Sequence, residues 1–131
     1  MKLKQMYLKN FGPFSDFVLN VPETGLIYLT GENRDDSYSS INGTGKTTIL
    51  SFLPFLFFGK TMNDIGRRKI PFKDILRWGA RGGEVKGIFE HDNKNLEISR
   101  SFDKKGSKFF LSFNNKELQG EIAQEWLKIN F

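Results

Sequence analysis

The sequence predicts an α/β fold in which a mixed β-sheet with an antiparallel meander surrounds one phosphate-loop helix. Three observations carry this expectation. A short apolar run at residues 26–29 precedes Asn42-Gly43-Thr44-Gly45-Lys46-Thr47-Thr48, and a second apolar run begins at Ile49. Period-two segments stand at both ends of the chain, as half-buried strands require. Phe occurs 14 times in 131 residues, enough aromatic mass for a packed core, whereas 27% charged residues argue against a disordered or membrane chain.

In chain order, residues 2–10 have strand composition, with Leu3, Met6, Tyr7 and Leu8. Asn10-Phe11-Gly12-Pro13-Phe14 is turn chemistry. Beyond it Phe17, Leu19 and Val21 share one face while Asp16, Val18 and Asn20 share the other, a strand partnered with the first. Pro22-Glu23-Thr24-Gly25 breaks the pattern, and residues 26–30 form a continuous apolar strand suited to burial on both faces.

Gly43 and Gly45 would let backbone N–H groups turn onto phosphate oxygens. Lys46 would reach the β- and γ-phosphates of a bound nucleotide, and the Thr47 hydroxyl would complete a Mg²⁺ shell. The strict pattern G-x-x-x-x-G-K-[ST] places Ser40 where its first glycine belongs. Gly31-Glu32-Asn33 supplies that turn instead, with residues 34–41 as a polar insertion within the loop. A chance lysine in a glycine-containing loop is the plain alternative, and the order strand, Gly-x-Gly-Lys-Thr-Thr, helix weighs against it.

The helix expected over 45–58 is apolar nearly all round, so it should be buried inside a larger body. Pro54 cannot donate to the carbonyl of Leu50 and should kink or end it, and Gly59 closes it. Residues 60–81 read as a basic, irregular segment containing Arg67-Arg68-Lys69 and Arg77-Trp78. Strands follow at 84–90, 96–102 and 109–113, turned at Asp92-Asn93 and at Lys104-Lys105-Gly106-Ser107. An amphipathic helix over 118–130 ends the chain, with Leu118, Ile122, Trp126 and Ile129 on its apolar face.

The formal net charge is +5, and residues 60–108 hold 13 Lys/Arg against 7 Asp/Glu, more than the whole excess. A basic face invites a polyanion, with DNA the leading candidate: Arg67, Arg68, Lys69, Lys104, Lys105 and Lys108 are the candidate phosphate contacts, and a merely solvated surface is the alternative. The absence of Cys excludes disulfides and thiolate metal sites, and the single His91 reads as a turn residue. The N-terminus lacks an apolar signal segment, and the run at 49–58 is far below the about 20 residues of a membrane span. A cytoplasmic protein without membrane contact is expected.

With these residues in hand, the chain resembles the N-terminal half-domain, lobe I, of SMC-type and SbcC-like DNA-repair ATPases of the ABC ATPase superfamily. The resemblance rests on Leu8-Lys9-Asn10-Phe11-Gly12-Pro13-Phe14, the strand at 26–30, Gly31-Glu32-Asn33, the Gly43-Thr44-Gly45-Lys46-Thr47-Thr48 loop and the later strands, one ending at Arg100 as that family's commonly does. The interrupted loop is similar to that of phage recombination nuclease subunits. Gly12 stands where many relatives carry arginine. The resemblance implies ATP and Mg²⁺ as ligands, with Lys46 as the catalytic residue and Asn42 to Thr48 as the cradle.

It also implies a Q-loop, a coiled coil, a signature motif, an acidic Walker B strand and a switch histidine. None is visible in residues 1–131, so the chain is expected to be one ATP-binding lobe of a longer or split ATPase. Its expected partners are a C-terminal ATPase lobe on the same or another chain, a second head in an ATP-dependent dimer, DNA, and a nuclease subunit. Repair and antiphage defence both fit this architecture. A lone lobe should bind nucleotide without efficient turnover. Two other readings stay open at the sequence level: a small P-loop kinase or phosphotransferase, which needs a parallel βαβ core, and a non-enzymatic module that only binds DNA or a partner.

Overall fold

The computed structural model of the chain describes residues 1–25, 46–60 and 72–131, with the side chains of Lys46 and Thr47 left out. The strand expected at 26–30, the Gly31 turn, the 34–41 insertion, Asn42 to Gly45 and Arg67 to Lys69 lie outside the described residues.

Six strands form one sheet: β1 (Lys2–Phe11), β2 (Phe14–Asn20), β3 (Gly83–His91), β4 (Lys94–Phe102), β5 (Ser107–Phe113) and β6 (Lys116–Gln119), in the order β2-β1-β3-β4-β5-β6. Every pairing among them is antiparallel. The β3–β4–β5 meander is the one expected from the sequence. Asp92 (φ 51°) and Asn93 (φ 60°) turn β3 into β4 with both residues left-handed, the geometry whose twist matches paired strands.

Asn114 (φ 51°) and Asn115 (φ 63°) repeat the device between β5 and β6. The sequence reading missed this hairpin and started the last helix too early. Leu118 lies in β6 opposite Leu111, and the helix, α4, runs Gly120–Asn130. Its inward face also differs from the expected one. Ala123 is fully buried, and Trp126 and Leu127 pack on the core, whereas Ile122 and Ile129 are 69% and 82% exposed. Leu118, being in β6, no longer marks a helix face, and the i, i+3, i+4 set of Ala123, Trp126 and Leu127 is the contact stripe. Trp126 sits with its ring 5.3 Å from that of Phe113.

The helix expected at 45–58 is two helices, α1 (Lys46–Leu50) and α2 (Phe52–Phe58). The break falls at Ser51, three residues before Pro54. Pro54 has no N–H and its ring would collide with the carbonyl of Leu50, so restarting the helix at Phe52 puts the proline in a first turn, where amide donors lack intrahelical acceptors anyway. Ser51 N–H donates to Thr48 O across the break (3.1 Å), and Phe55 N–H to Ser51 O (2.9 Å) begins the new ladder. Gly59, at φ 69°, ends α2 and donates to Phe55 O.

Only one side of this pair is buried. Phe52, Phe55 and Leu56 face the sheet, while Leu50, Leu53 and Phe58 are exposed on this lobe. The 60–81 segment likewise contains order: α3 (Phe72–Ile75) is followed by a bridge between Leu76 and Phe11.

The core lies between α2 and the inner sheet face, where Met6, Leu8, Val85, Phe89, Leu96, Ile98, Phe102, Phe109 and Leu111 alternate with outward residues. Phe11, Phe55 and Phe102 form a triangle of rings with centroids 4.9, 5.0 and 5.9 Å apart. Such tilted and edge-on contacts add to the burial of the rings themselves. No helix among the described residues is long and apolar enough to cross a membrane.

The orientation of α4 is directly testable. Ala123→Asp buries an unpaired carboxylate and should cost several kcal/mol in urea unfolding, about 3 or more. Ile129→Ser should change stability by less than about 0.5 kcal/mol.

Candidate functional site

The residues Lys46, Thr47 and Thr48 open α1, and the β1–β2 turn lies against Thr48. Gly12 (φ 56°) follows Asn10 (φ 50°) in the β1–β2 turn, and a Cβ placed on Gly12 would lie 2.7 Å from Thr48 Cγ2 and 3.1 Å from Thr48 Oγ1. Two constraints therefore select glycine here: a left-handed backbone, and a neighbour that leaves no room for a side chain. An arginine, as carried by many proteins of the resembled family at this position, would have to displace Thr48.

This turn is braced from a second side. Gly12 N–H donates to Ile75 O (2.7 Å), Arg77 N–H donates to Asn10 O (2.9 Å), and Asn10 Nδ2 donates to Gly82 O (3.0 Å). The Asn-Phe-Gly stretch thus holds the start of α1, the end of α3 and the start of β3 in one place. Sequence reading marked these residues as a turn and as part of the family resemblance, but not as the tie between these elements.

The C-terminal end of α2 is fixed by Arg100. This side chain is 5% exposed. Its Nε donates to Leu56 O (3.1 Å), Nη2 to Phe57 O (3.2 Å) and Nη1 to Ser107 Oγ (2.9 Å), and the guanidinium stacks 5.0 Å from the Phe109 ring centre. Burial pushes its pKa below the ordinary arginine value. The planar fork stays charged and meets helix carbonyls that have no intrahelical donor, at the negative end of the helix dipole. The family-like arginine at the end of β4 is therefore a brace between the meander and α2. A lysine could reach only one of these acceptors.

On the opposite sheet face, register sets Lys9 beside Glu84, Glu84 beside Ser101 and Ser101 beside Lys108. These residues line an open cavity of about 720 Å³, together with Arg81, Lys105 and the Asp103–Ser107 turn. Asp103 shapes that turn: its Oδ1 accepts from Lys105 N–H (2.7 Å) and Gly106 N–H (3.1 Å), and these bonds lower its carboxyl pKa below the ordinary 3.8. Further along the same face the charges are spent on one another, as Lys86 pairs with Glu84 (3.6 Å) and Glu97 (3.4 Å) and Tyr7 donates to Asp16 (3.1 Å). Lys9, Arg81, Lys105 and Lys108 enter no ion pair among the described residues.

Of the predicted contacts, Lys105 and Lys108 line this cavity and Lys104 lies on the exposed turn beside it. Lys9 and Arg81 belong to the same wall and were missed. Strand alternation places Lys9 opposite the buried Leu8, a usable signal, but nothing in the sequence brings Arg81 to it. Lys46 to Thr48 stand in α1, while Asn42 to Gly45 and Arg67 to Lys69 lie outside the described residues.

Comparison with known proteins adds a family. A family model described as an AAA domain matches residues 5–130. The chain is similar to the DNA replication and repair protein RecF of Geotalea daltonii, 32% identical over 108 residues, covering 82% of this chain and 26% of that protein. RecF of Lactococcus lactis subsp. cremoris is 29% identical over 106 residues, covering 81% and 25%. A solved structure of the recombination mediator protein RecF with ATP, from the RecFOR pathway, aligns with a TM-score of 0.63 at 18% identity, over 88% of this chain and 28% of that one. The fold is thus that of an N-terminal ATPase lobe, and the chain spans about a quarter of the length of these relatives.

Two measurements check the site. Arg100→Met strands two helix carbonyls and should destabilise the fold by about 2–3 kcal/mol in chemical unfolding, with Arg100→Lys recovering less than half. For Asp103, the depressed folded-state pKa means that its ordering of the turn is present above pH 3.8 and is lost as pH falls through the lower folded value. An NMR titration should find the Asp103 carboxyl midpoint below 3.8, with the Lys105 and Gly106 amides shifting alongside it.

Proposed function

The chain belongs to the AAA domain family, and from that premise we propose that it is the ATP-binding lobe of a DNA-repair ATPase. One observation carries the reading: Lys46, Thr47 and Thr48 open α1, with Thr48 against the β1–β2 turn, within a fold shared with the ATP-bound RecF structure. The RecF relatives support the repair context.

In this reading the backbone of Asn42 to Lys46 cradles the phosphates, and Lys46 neutralises charge on the β- and γ-phosphates. Thr47 would supply a hydroxyl ligand to Mg²⁺, which when bound would offset the negative charge of the phosphates. Thr48 holds a further phosphate oxygen, and the bare Gly12 leaves its side chain the room to do so. Fixing the turn in advance spares binding the cost of ordering it.

Hydrolysis needs an oriented water and a base. These belong to a C-terminal lobe on the same or another chain, with a signature motif arriving from a second head, so residues 1–131 alone bind ATP with little turnover. The exposed apolar side chains Leu50, Leu53 and Phe58 on α1 and α2 support a further body packing on that face. ATP-dependent pairing of heads would couple nucleotide state to DNA held by Lys104, Lys105, Lys108 and Arg67 to Lys69, and to a nuclease subunit, in repair or antiphage defence. The antiparallel order of the described strands favours this over a small P-loop kinase built on a parallel core.

Lys46→Ala should weaken ATP binding by roughly 10- to 150-fold in calorimetric titration with Mg²⁺, the loss of one charge-assisted contact. Unchanged affinity would remove Lys46 from the site. Robust turnover by residues 1–131, abolished by Lys46→Ala, would instead contradict the division of labour between lobes.

A further inference from the structure

Trp78 is 96% exposed. A tryptophan left in water forgoes the burial that drives folding, and this one stands on a loop with little freedom. Both ends of that loop are tied to one residue: Arg77 N–H donates to Asn10 O, and Gly82 O accepts from Asn10 Nδ2. Between these ties a turn closes with Ala80 N–H donating to Arg77 O (2.9 Å). The loop therefore carries Trp78 as a braced projection rather than as a loose end.

Its flanks are cationic. Arg77 precedes Trp78 directly, and Arg81, three residues beyond it, is a wall of the cavity also lined by Lys9, Lys105 and Lys108. Against these cations the cavity holds the carboxylates of Glu84 and Asp103. Glu84 is engaged with Lys86, and the Asp103 Oδ1 with two backbone amides. Asp103 also attracts Lys105 and Lys108 without an ion pair, so the four cations outnumber the two carboxylates and leave the cavity positive toward an external anion.

From these juxtaposed features we propose that the Arg77–Gly82 loop and the adjoining basic cavity form a binding site for an unpaired polynucleotide strand. Trp78 stacks on a base, while Arg81, Lys9, Lys105 and Lys108 track the backbone phosphates. An aromatic platform beside a line of cations is the arrangement that holds single strands without reading their sequence, because every base has a π-face and every nucleotide a phosphate. A duplex keeps its bases stacked on one another and leaves Trp78 nothing to pair with. The proposal rests on the DNA-engaging part of the function proposed above and adds which strand form is held and by which residues.

The test is a fluorescence-anisotropy titration of labelled oligothymidylate with the full 131-residue chain at low salt, alongside ATP titration of the same preparations. The wild-type chain should bind the oligomer, and Trp78→Ala should weaken that binding by roughly 5- to 150-fold with ATP affinity unchanged. Trp78→Phe should restore most of it. Lys105→Ala should lower the salt slope by about 0.7 if that side chain contacts one phosphate. Because Trp78 is exposed, its variants should melt like wild type, and a matching thermal transition separates lost binding from lost folding.

Oligomer binding equal to wild type in Trp78→Ala overturns the proposal. So does a wild-type chain that binds ATP but no oligomer, which leaves the nucleotide reading standing. Weaker ATP binding in Trp78→Ala without any oligomer binding also overturns it, and assigns the platform to the base of the nucleotide. Oligomer binding through Trp78 in a chain that binds no ATP supports this site and refutes the phosphate loop.

Discussion

The arrangement depends on the reversal of the chain at Asn10 to Gly12. Two left-handed residues within three positions turn β1 into β2, and their polar groups reach Ile75, Arg77 and Gly82. The same turn presses on Thr48 at the start of α1. Segments far apart in sequence are thus fixed relative to one another by hydrogen bonds to one turn and by the absence of one side chain. Loop ordering is the costly part of building a binding site, because each immobilised residue loses about 1–2 kcal/mol of backbone entropy. Here the sheet carries that cost before any ligand arrives.

The second brace works at the other end of the helix pair. Pro54 forces a break at Ser51, so α1 and α2 are short, and short helices owe their stability to tertiary contacts rather than to their own hydrogen bonds. Phe52, Phe55 and Leu56 provide packing, and Arg100 provides the directional part by donating to the last carbonyls of α2. A buried cation without a carboxylate partner would be expensive in an apolar core. Helix carbonyls, a serine hydroxyl and an aromatic face supply the compensation, so burial becomes a means of fixing geometry.

Much of this was legible in the sequence, and the reasons differ by element. The meander was readable because alternation in β3, β4 and β5 matches a half-buried sheet and Asp92-Asn93 is a strong turn signal. Asn114-Asn115 carries the same signal, and β6 was overlooked because Leu118 also fits a helical repeat with Ile122. That ambiguity put the exposed Ile122 and Ile129 on the expected apolar face of α4, alongside Trp126, which does pack on the core. The steric effect of Pro54 was legible, but not that the helix would break three residues earlier. The basic wall was half legible: Lys105 and Lys108 stood out as a charged turn, whereas Arg81 joins them only through the tie of Asn10 to Gly82, a contact spanning 72 residues.

The central claim is that nucleotide enters at the start of α1 and that the Asn10–Gly12 turn is part of the same unit. Backbone hydrogen exchange, measured with and without Mg²⁺ and ATP, tests both halves at once. The account predicts slower exchange for the amides of Gly43 to Thr48 on nucleotide addition, together with slower exchange at Gly12 and Arg77, whose donors tie the turn in place. Unchanged exchange at residues 43–48 at saturating ATP would contradict it, whatever happened elsewhere in the chain.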